Sequence, residues 1–230
     1  MLDFLKRVVF GQHPIAEAFK HVCYPQLPLL SLDLELTDLN TDVAKVTSIA
    51  WVRGQNFQVD LRSAHYSVVR AKGDLKQSPV IHGLTAKDIA KGGHIKDQLA
   101  YLREHTQSHV WVLHNAVLDM RVLNKIWLAL DFPMVTVTTI DTMLLEVYAC
   151  EKTLGFVPSG GVSLENARRR HSLAPAPAHN ALDDALATLT LLFAQLYSLN
   201  KQGHMNLLEL SHTRAIRTFT LGQKALTKHK

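Results

Sequence analysis

The chain has 230 residues, is 47% hydrophobic and 20% charged, and carries a formal net charge of +5. That length suits one full core, and the composition is that of a globular domain, which excludes a disordered or fibrous chain. Two cysteines, Cys23 and Cys150, argue against a disulfide framework and for reducing, cytoplasmic surroundings.

Residues 1–26 read as a helical extension. Pro14 opens its second helix, with Ile15, Phe19 and Val22 as one apolar stripe. Met1 to Phe10 lacks the long apolar core and cleavage site of a signal peptide, and no stretch has the pattern of a membrane span. Pro25 and Pro28 lead into a first strand around Leu29 to Leu36. Val43 to Val52 reads as a second strand, Arg53-Gly54-Gln55-Asn56 as a tight turn, and Phe57 to Leu61 as a third strand. The opening is thus an antiparallel three-strand meander. His65 to Pro79 reads as a loop. Thr85 followed by Asp88 resembles a capping box for a short helix.

A helix follows over Ile95 to His105, then a short strand at Val110 to Leu113. Asn115 stands where it can cap a helix running to about Leu130. Val135 to Ile140 is a further strand, ending at Asp141-Thr142 ahead of a helix to about Ala149. Ser163 opens a helix with the run Arg168-Arg169-Arg170, and Asn180 opens a long one from Ala181 to about Leu199. Meander first, then strands alternating with helices, gives an α/β domain over residues 27–200 with helices on both faces of a mixed five-stranded sheet. From Lys201 onward Glu209 is the lone acid against six lysines and arginines, so 201–230 reads as a basic tail or short helix. Such an end suits a polyanionic ligand, and equally a frayed terminus.

Within the first strand, Asp33 and Glu35 alternate with leucines and so share one face. Paired carboxylates on a central strand call for a cation, and a hard divalent ion is the obvious one; on an edge strand with a wet face they need none. Asp119, Asp183 and Asp184 fall near helix N-termini, which favour carboxylates for electrostatic reasons alone. His179 lies just ahead of the last long helix. A zinc site using His179, Asp184 and another histidine is a competing reading without a recognised ligand spacing.

Taken together, Asp33-Leu34-Glu35 with Thr37, His114-Asn115-Ala116-Val117-Leu118-Asp119, and His179-Asn180-Ala181-Leu182-Asp183-Asp184 resemble the three motifs of the DEDD-type 3′–5′ exonucleases. The branch is the one with histidine in the third motif, which includes the proofreading subunit of the bacterial replicative polymerase. The chain departs from the family wording at Asp38-Leu39 and at Leu118.

The resemblance implies a ribonuclease H-like fold and phosphodiester hydrolysis with two divalent cations, Mg2+ or Mn2+. It implies Asp33, Glu35, Asp119 and Asp184 as metal ligands and His179 as general base. Leu36, Thr37, His82, Leu84, Thr85 and Asn115 become substrate contacts, although Asn115 has the capping role as its alternative. Arg168, Arg169 and Arg170 either touch phosphates or form a solvated run. The implied partner is nucleic acid with a free 3′ end, single-stranded DNA ahead of RNA, with a polymerase or repair complex as a further partner and no membrane. A non-catalytic recruiting module is the reading from another class.

Overall fold

The computed structural model describes residues 15–73, 75, 83–177, 179–199 and 205–224. The sheet it shows has six strands, not five. In chain order the elements are α1 (Glu17–Lys20), β1 (Leu29–Leu36), β2 (Val46–Gln55), β3 (Gln58–Val68), α2 (Ala86–Lys91), α3 (Ile95–Arg103), β4 (Val110–Leu113), α4 (Ala116–Ala129), β5 (Val135–Asp141), α5 (Thr142–Leu154), α6 (Leu164–Arg170), α7 (Ala181–Leu199), α8 (Leu207–Leu210) and β6 (Ile216–Leu221). The sheet order is β3-β2-β1-β4-β5-β6. β1 runs antiparallel to β2 and parallel to β4, and β6 closes the far edge antiparallel to β5.

The sixth strand comes from the stretch that charge alone marks as a tail. Ile216 and Leu221 are buried while Arg217 is half-exposed, and the strand pairs with β5 from Ile216↔Ile140 to Leu221↔Val135. A six-residue run with one arginine gives a weak apolar alternation, so its ladder with β5 decides the matter. The third strand is also longer than its sequence suggests. It runs to Val68 through Arg62, His65 and Tyr66, because an edge strand draws support from backbone pairing with β2 rather than from burial of both faces. The hairpin turn sits at Asn56-Phe57, with φ of 54° and 57°, one step beyond the expected Arg53–Asn56 turn. Phe57 accepts that backbone while its ring meets Phe193 edge-on at 5.7 Å.

Alternation along the strands sorts the core into two layers. Leu30, Leu32, Leu34, Ile49, Trp51, Trp111 and Leu113 face α3 and α4, which contribute Leu99, Leu102, Met120, Leu123 and Trp127. Leu29, Val52, Val110, Val112 and Ile140 face α7, which contributes Ala185, Leu189, Leu192 and Leu196. α7 can lie close to the sheet because Gly54 has no Cβ; one built there would stand 2.9 Å from both Gln58 O and Leu189 Cδ2.

Candidate active site

The β1–β4 ladder covers only Leu29↔Val110 to Ser31↔Val112. Beyond Ser31, β1 runs on to Leu36 without that neighbour, and the sheet opens at the carboxyl ends of its parallel strands. Ligand crevices in α/β sheets form in such places. Asp33 and Glu35 stand on this free stretch, on the α7 face. Leu32 and Leu34, on the opposite face, anchor it in the core. Glu35 is buried and Asp33 half-buried. Thr37 pins the end of the strand: its N–H donates to Lys45 O (3.0 Å) and its Oγ1 accepts from Lys45 N (3.0 Å).

α7 brings the third carboxylate. Asn180 Oδ1 caps this helix, accepting from the N–H groups of Leu182 (3.0 Å) and Asp183 (3.4 Å). One turn in, Asp184 Oδ2 accepts from His179 N–H at 3.0 Å. His179 has φ of 66° and an exposed side chain. One oxygen from each of Asp33, Glu35 and Asp184 lies within 4.8 Å of the other two.

Asp119, from α4, lies outside that triad but acts on it. It is buried, one turn into the helix. The turn that delivers it has Asn115 in the left-handed region at φ 69°. Asn115 makes no capping bond with its side chain. Asp141, at the end of β5, does that work: its carboxylate accepts from Asn115 N (3.1 Å), Ala116 N (3.0 Å), Met143 N (3.0 Å) and Leu144 N (3.4 Å), capping α4 and α5 together. His114 ties the same corner to the α5–α6 loop. Its ring bonds Thr142 Oγ1 at 2.8 Å and Val162 O at 2.9 Å, and burial holds its pKa below the usual range.

The electrostatics set these acids apart. Burial, then Asp119, Glu35 and Asp184, push the Asp33 carboxyl well above its ordinary pKa; the charges acting on it are all carboxylates. Burial raises Asp119 to about 8 against opposing backbone hydrogen bonds, with Asp141 and Glu35 adding to it. Burial and then Glu35 raise Asp184 to about 6 although His179 opposes them. Crowded acids of this kind either hold protons or hold cations. The donors are all hard carboxylate oxygens, which fit divalent magnesium or manganese far better than a soft metal.

The other expected site residues divide. Leu36 is half-buried at the end of β1, and Leu84 is half-buried ahead of α2. Thr85 makes the expected capping box, accepting from Asp88 N while Asp88 Oδ2 accepts from Thr85 N. His82 lies outside the described residues. Arg168 is turned inward, donating to Ala187 O (2.8 Å), Thr190 Oγ1 (2.7 Å) and Ala174 O (2.8 Å). Arg170 pairs with buried Glu146 at 2.6 Å and also reaches Gly161 O. Arg169 bonds Asn166 and is exposed. Sequence reasoning missed Tyr66. It sits opposite Ala50, which sits opposite Asp33, so its side chain shares their face. Burial raises its phenol pKa, with a hydrogen bond to Ser48 opposing and Glu35 adding. Extending the third strand to its true end would have revealed it.

An open mixed sheet with Asp33, Glu35 and Asp184 brought together where β1 runs past β4, and buried Asp119 acting on them, is a ribonuclease H-like arrangement with a candidate metal site. A family model described as "Exonuclease", the RNase T type, matches residues 30–192, and the chain belongs to this DEDD-type 3′–5′ exonuclease family. No curated protein matches its sequence.

Among solved structures it is similar to Exonuclease X in complex with 5′ overhanging duplex DNA, at 21% identity and a TM-score of 0.57, covering 79% of this chain and 99% of that one. It is also similar to cell-death related nuclease 4 (15%, TM-score 0.61, 76% of this chain and 65% of that one). Exonuclease I of E. coli, bound to a dA16 oligonucleotide, matches at 16% and a TM-score of 0.59, covering 75% of this chain; the match spans 41% of that longer protein. Among the described residues no helix is long and apolar enough to cross a membrane.

Proposed function

We propose that the protein is a metal-dependent 3′–5′ exonuclease that removes nucleotides from single-stranded or frayed DNA 3′ ends and releases 5′-monophosphates. The observation that carries this reading is the convergence of Asp33, Glu35 and Asp184 oxygens within 4.8 Å in a chain of the exonuclease family. Solved relatives of the same fold are described in complex with 5′ overhanging duplex DNA and with a dA16 oligonucleotide, which supports DNA as the substrate class.

Asp33, Glu35 and Asp184 would hold one cation, and Asp33 with Asp119 a second. Divalent cations supply, when bound, charge neutralisation at the phosphoryl oxygens, activation of the attacking water and stabilisation of the departing 3′ oxygen. Asp184 accepts the His179 N–H and so ties the backbone of the general base to the acid cluster. The exposed His179 imidazole serves as the general base that takes the proton of the attacking water. Leu36, Thr37, Leu84 and Thr85, with Tyr66 added to them, would be the contacts for the terminal nucleotide. Of the three arginines, Arg169 is kept as the candidate for phosphate, because Arg168 and Arg170 are engaged by Ala187, Thr190 and Glu146. Among the described residues neither Cys23 nor Cys150 is in a disulfide, which supports placing the protein in a reducing compartment such as the cytoplasm. Partnership with a polymerase, as in the proofreading branch, draws on the motif resemblance.

The deciding experiment is digestion of a 5′-labelled single-stranded DNA oligonucleotide beside its RNA equivalent, with Mg2+, Mn2+ or EDTA, and with Asp33→Ala as control. A ladder shortening from the 3′ end, absent in EDTA and in the variant, is expected, with DNA cleaved faster than RNA. Faster RNA cleavage would reassign the substrate, and no cleavage by folded, metal-loaded protein would sink the enzyme reading.

A further inference from the structure

The hairpin end of β2 and β3 carries a cationic feature on the other face of the sheet. Arg53 alternates with Val52 and Ala50 along β2 and so projects away from the side that bears Asp33. Ala50 pairs with Asp33 and Arg53 with Leu30, which separates the two features by about 10 Å along the strand as well as by the sheet itself. Around Arg53 lies an open cleft of about 640 Å³, bordered by Pro28, Asn56, Asp60, Arg62 and His109. Asp60 is the acid between the two arginines, 3.6 Å from Arg53 Nη2 and 3.5 Å from Arg62 Nε. Exposed pairs of this length hold side chains weakly, and each guanidinium has five N–H donors to offer.

A column of rings leads away from this cleft. Trp51 stacks on His65 at 3.9 Å between centroids, and Tyr101 lies 5.7 Å from Trp51. His105 follows at 5.8 Å from Tyr101, and His109 at 5.0 Å from His105. Tyr101 is 52% exposed, so part of a ring is open to a stacking partner. Burial first, and then the charges of His105 and Arg53, hold His109 down at about 4. Arginines spread along a hairpin beside an accessible aromatic ring suit an extended phosphodiester chain. A lone phosphate would instead call for donors converging on one point.

We propose that this cleft and ring column form a second binding site for single-stranded nucleic acid, taking the upstream part of a strand whose 3′ end lies at the carboxylates. The identity of the ligand rests on the exonuclease reading; the site itself rests on the geometry of the hairpin. The strand reaches it only by rounding the edge of the sheet, so short substrates do not engage it.

The test compares wild-type protein with the double variant Arg53→Ala/Arg62→Ala, using oligothymidylates of about 4 and about 20 nucleotides, chosen to fall at or below and above the span of a typical single-strand groove. Binding is read by fluorescence anisotropy in EDTA, where hydrolysis is stopped, and KM is read with Mg2+. Lys152→Ala, a charge loss elsewhere, serves as control. The double variant is expected to weaken binding and raise KM about tenfold for the long oligonucleotide and to leave the short one within about twofold. The salt slope is expected to fall by about 0.7 for each phosphate that the variant no longer neutralises. Addition of the long oligonucleotide in EDTA is expected to move the His109 titration upward by NMR. Equal effects at both lengths, no effect, or binding of polyglutamate as tightly as DNA at matched salt would overturn the proposal. A wild-type protein that binds the long strand through these arginines yet cleaves nothing would strike the exonuclease reading and leave the site standing.

Discussion

The protein buries two sets of carboxylates and treats them in opposite ways. Asp141 is spent on four backbone N–H groups, and Glu146 on Arg170, His171 and Gln195. Burial alone would raise Glu146, but the hydrogen bonds from His171, Arg170 and Gln195 outweigh it and hold its pKa at about 2. Asp33, Asp119 and Asp184 are crowded by one another and by Glu35, and their pKa values rise instead. One set builds the corners from which α4, α5 and α6 depart. The other is left with excess negative charge, the condition under which a site stabilises itself by taking up cations. A count of buried acids would not separate the two; their partners do.

The largest effect should come from Asp33→Asn. Loss of several kcal/mol of transition-state stabilisation lowers kcat by at least about 10³-fold, while the metal-free Tm stays level or rises because a repelling charge is gone. A large fall in Tm would place Asp33 in the structural set.

Glu146→Ala should do the reverse and destabilise the fold by about 3 kcal/mol, the low end for a broken buried pair because Arg170 is partly exposed, since it leaves Arg170 and His171 without their acid. Chemical denaturation reads this loss, and kcat per folded molecule should hold at low temperature.

The pH dependence sharpens the contrast. A carboxyl whose pKa is raised on folding costs stability when it ionises, so in EDTA the Tm should fall between about pH 4 and pH 8 as Asp184 and then Asp119 lose protons. Glu146 has the opposite sign: its contribution is complete above the unfolded value of 4.5 and is lost as pH falls through about 2. Divalent metal at about 100 times its Kd should restore about 2.7 kcal/mol at pH 8 and much less at pH 5. A metal-free Tm that rises steadily to pH 8 would contradict the charge assignment. The smallest effect belongs to Thr85→Ala, which removes an exposed cap worth about 1 kcal/mol to the short helix α2 and should leave the global Tm nearly unchanged.

Much of this was legible from residue pattern. The spacing of Asp33 and Glu35 implied one face because strand side chains alternate, and β1 obeys that rule. Val110 to Leu113, the long helix from Ala181 to Leu199 and the Thr85 capping box follow from local signals alone, and each stands where those signals put it. β3 beyond Leu61 and β6 were not legible, since an edge strand with half-exposed residues carries no clear apolar period. The cap of α4 misled for a different reason. Asn115 is a good capping residue by type, but a carboxylate from β5, twenty-six positions away, took the role.

The sequence by itself determined the inventory: which acids the chain has, which strand and helices carry them, and which side of each element they occupy. Those properties depend on near neighbours, whose geometry the backbone repeats every two or 3.6 residues. Tertiary structure alone decided which acids would be compensated and which left crowded. That outcome turns on partners distant in the chain, such as Gln195 and Arg170 at Glu146, or Asp184 at Asp33 and Glu35. Burial makes those partners decisive, because a charge withdrawn from water answers only to the few groups folded against it.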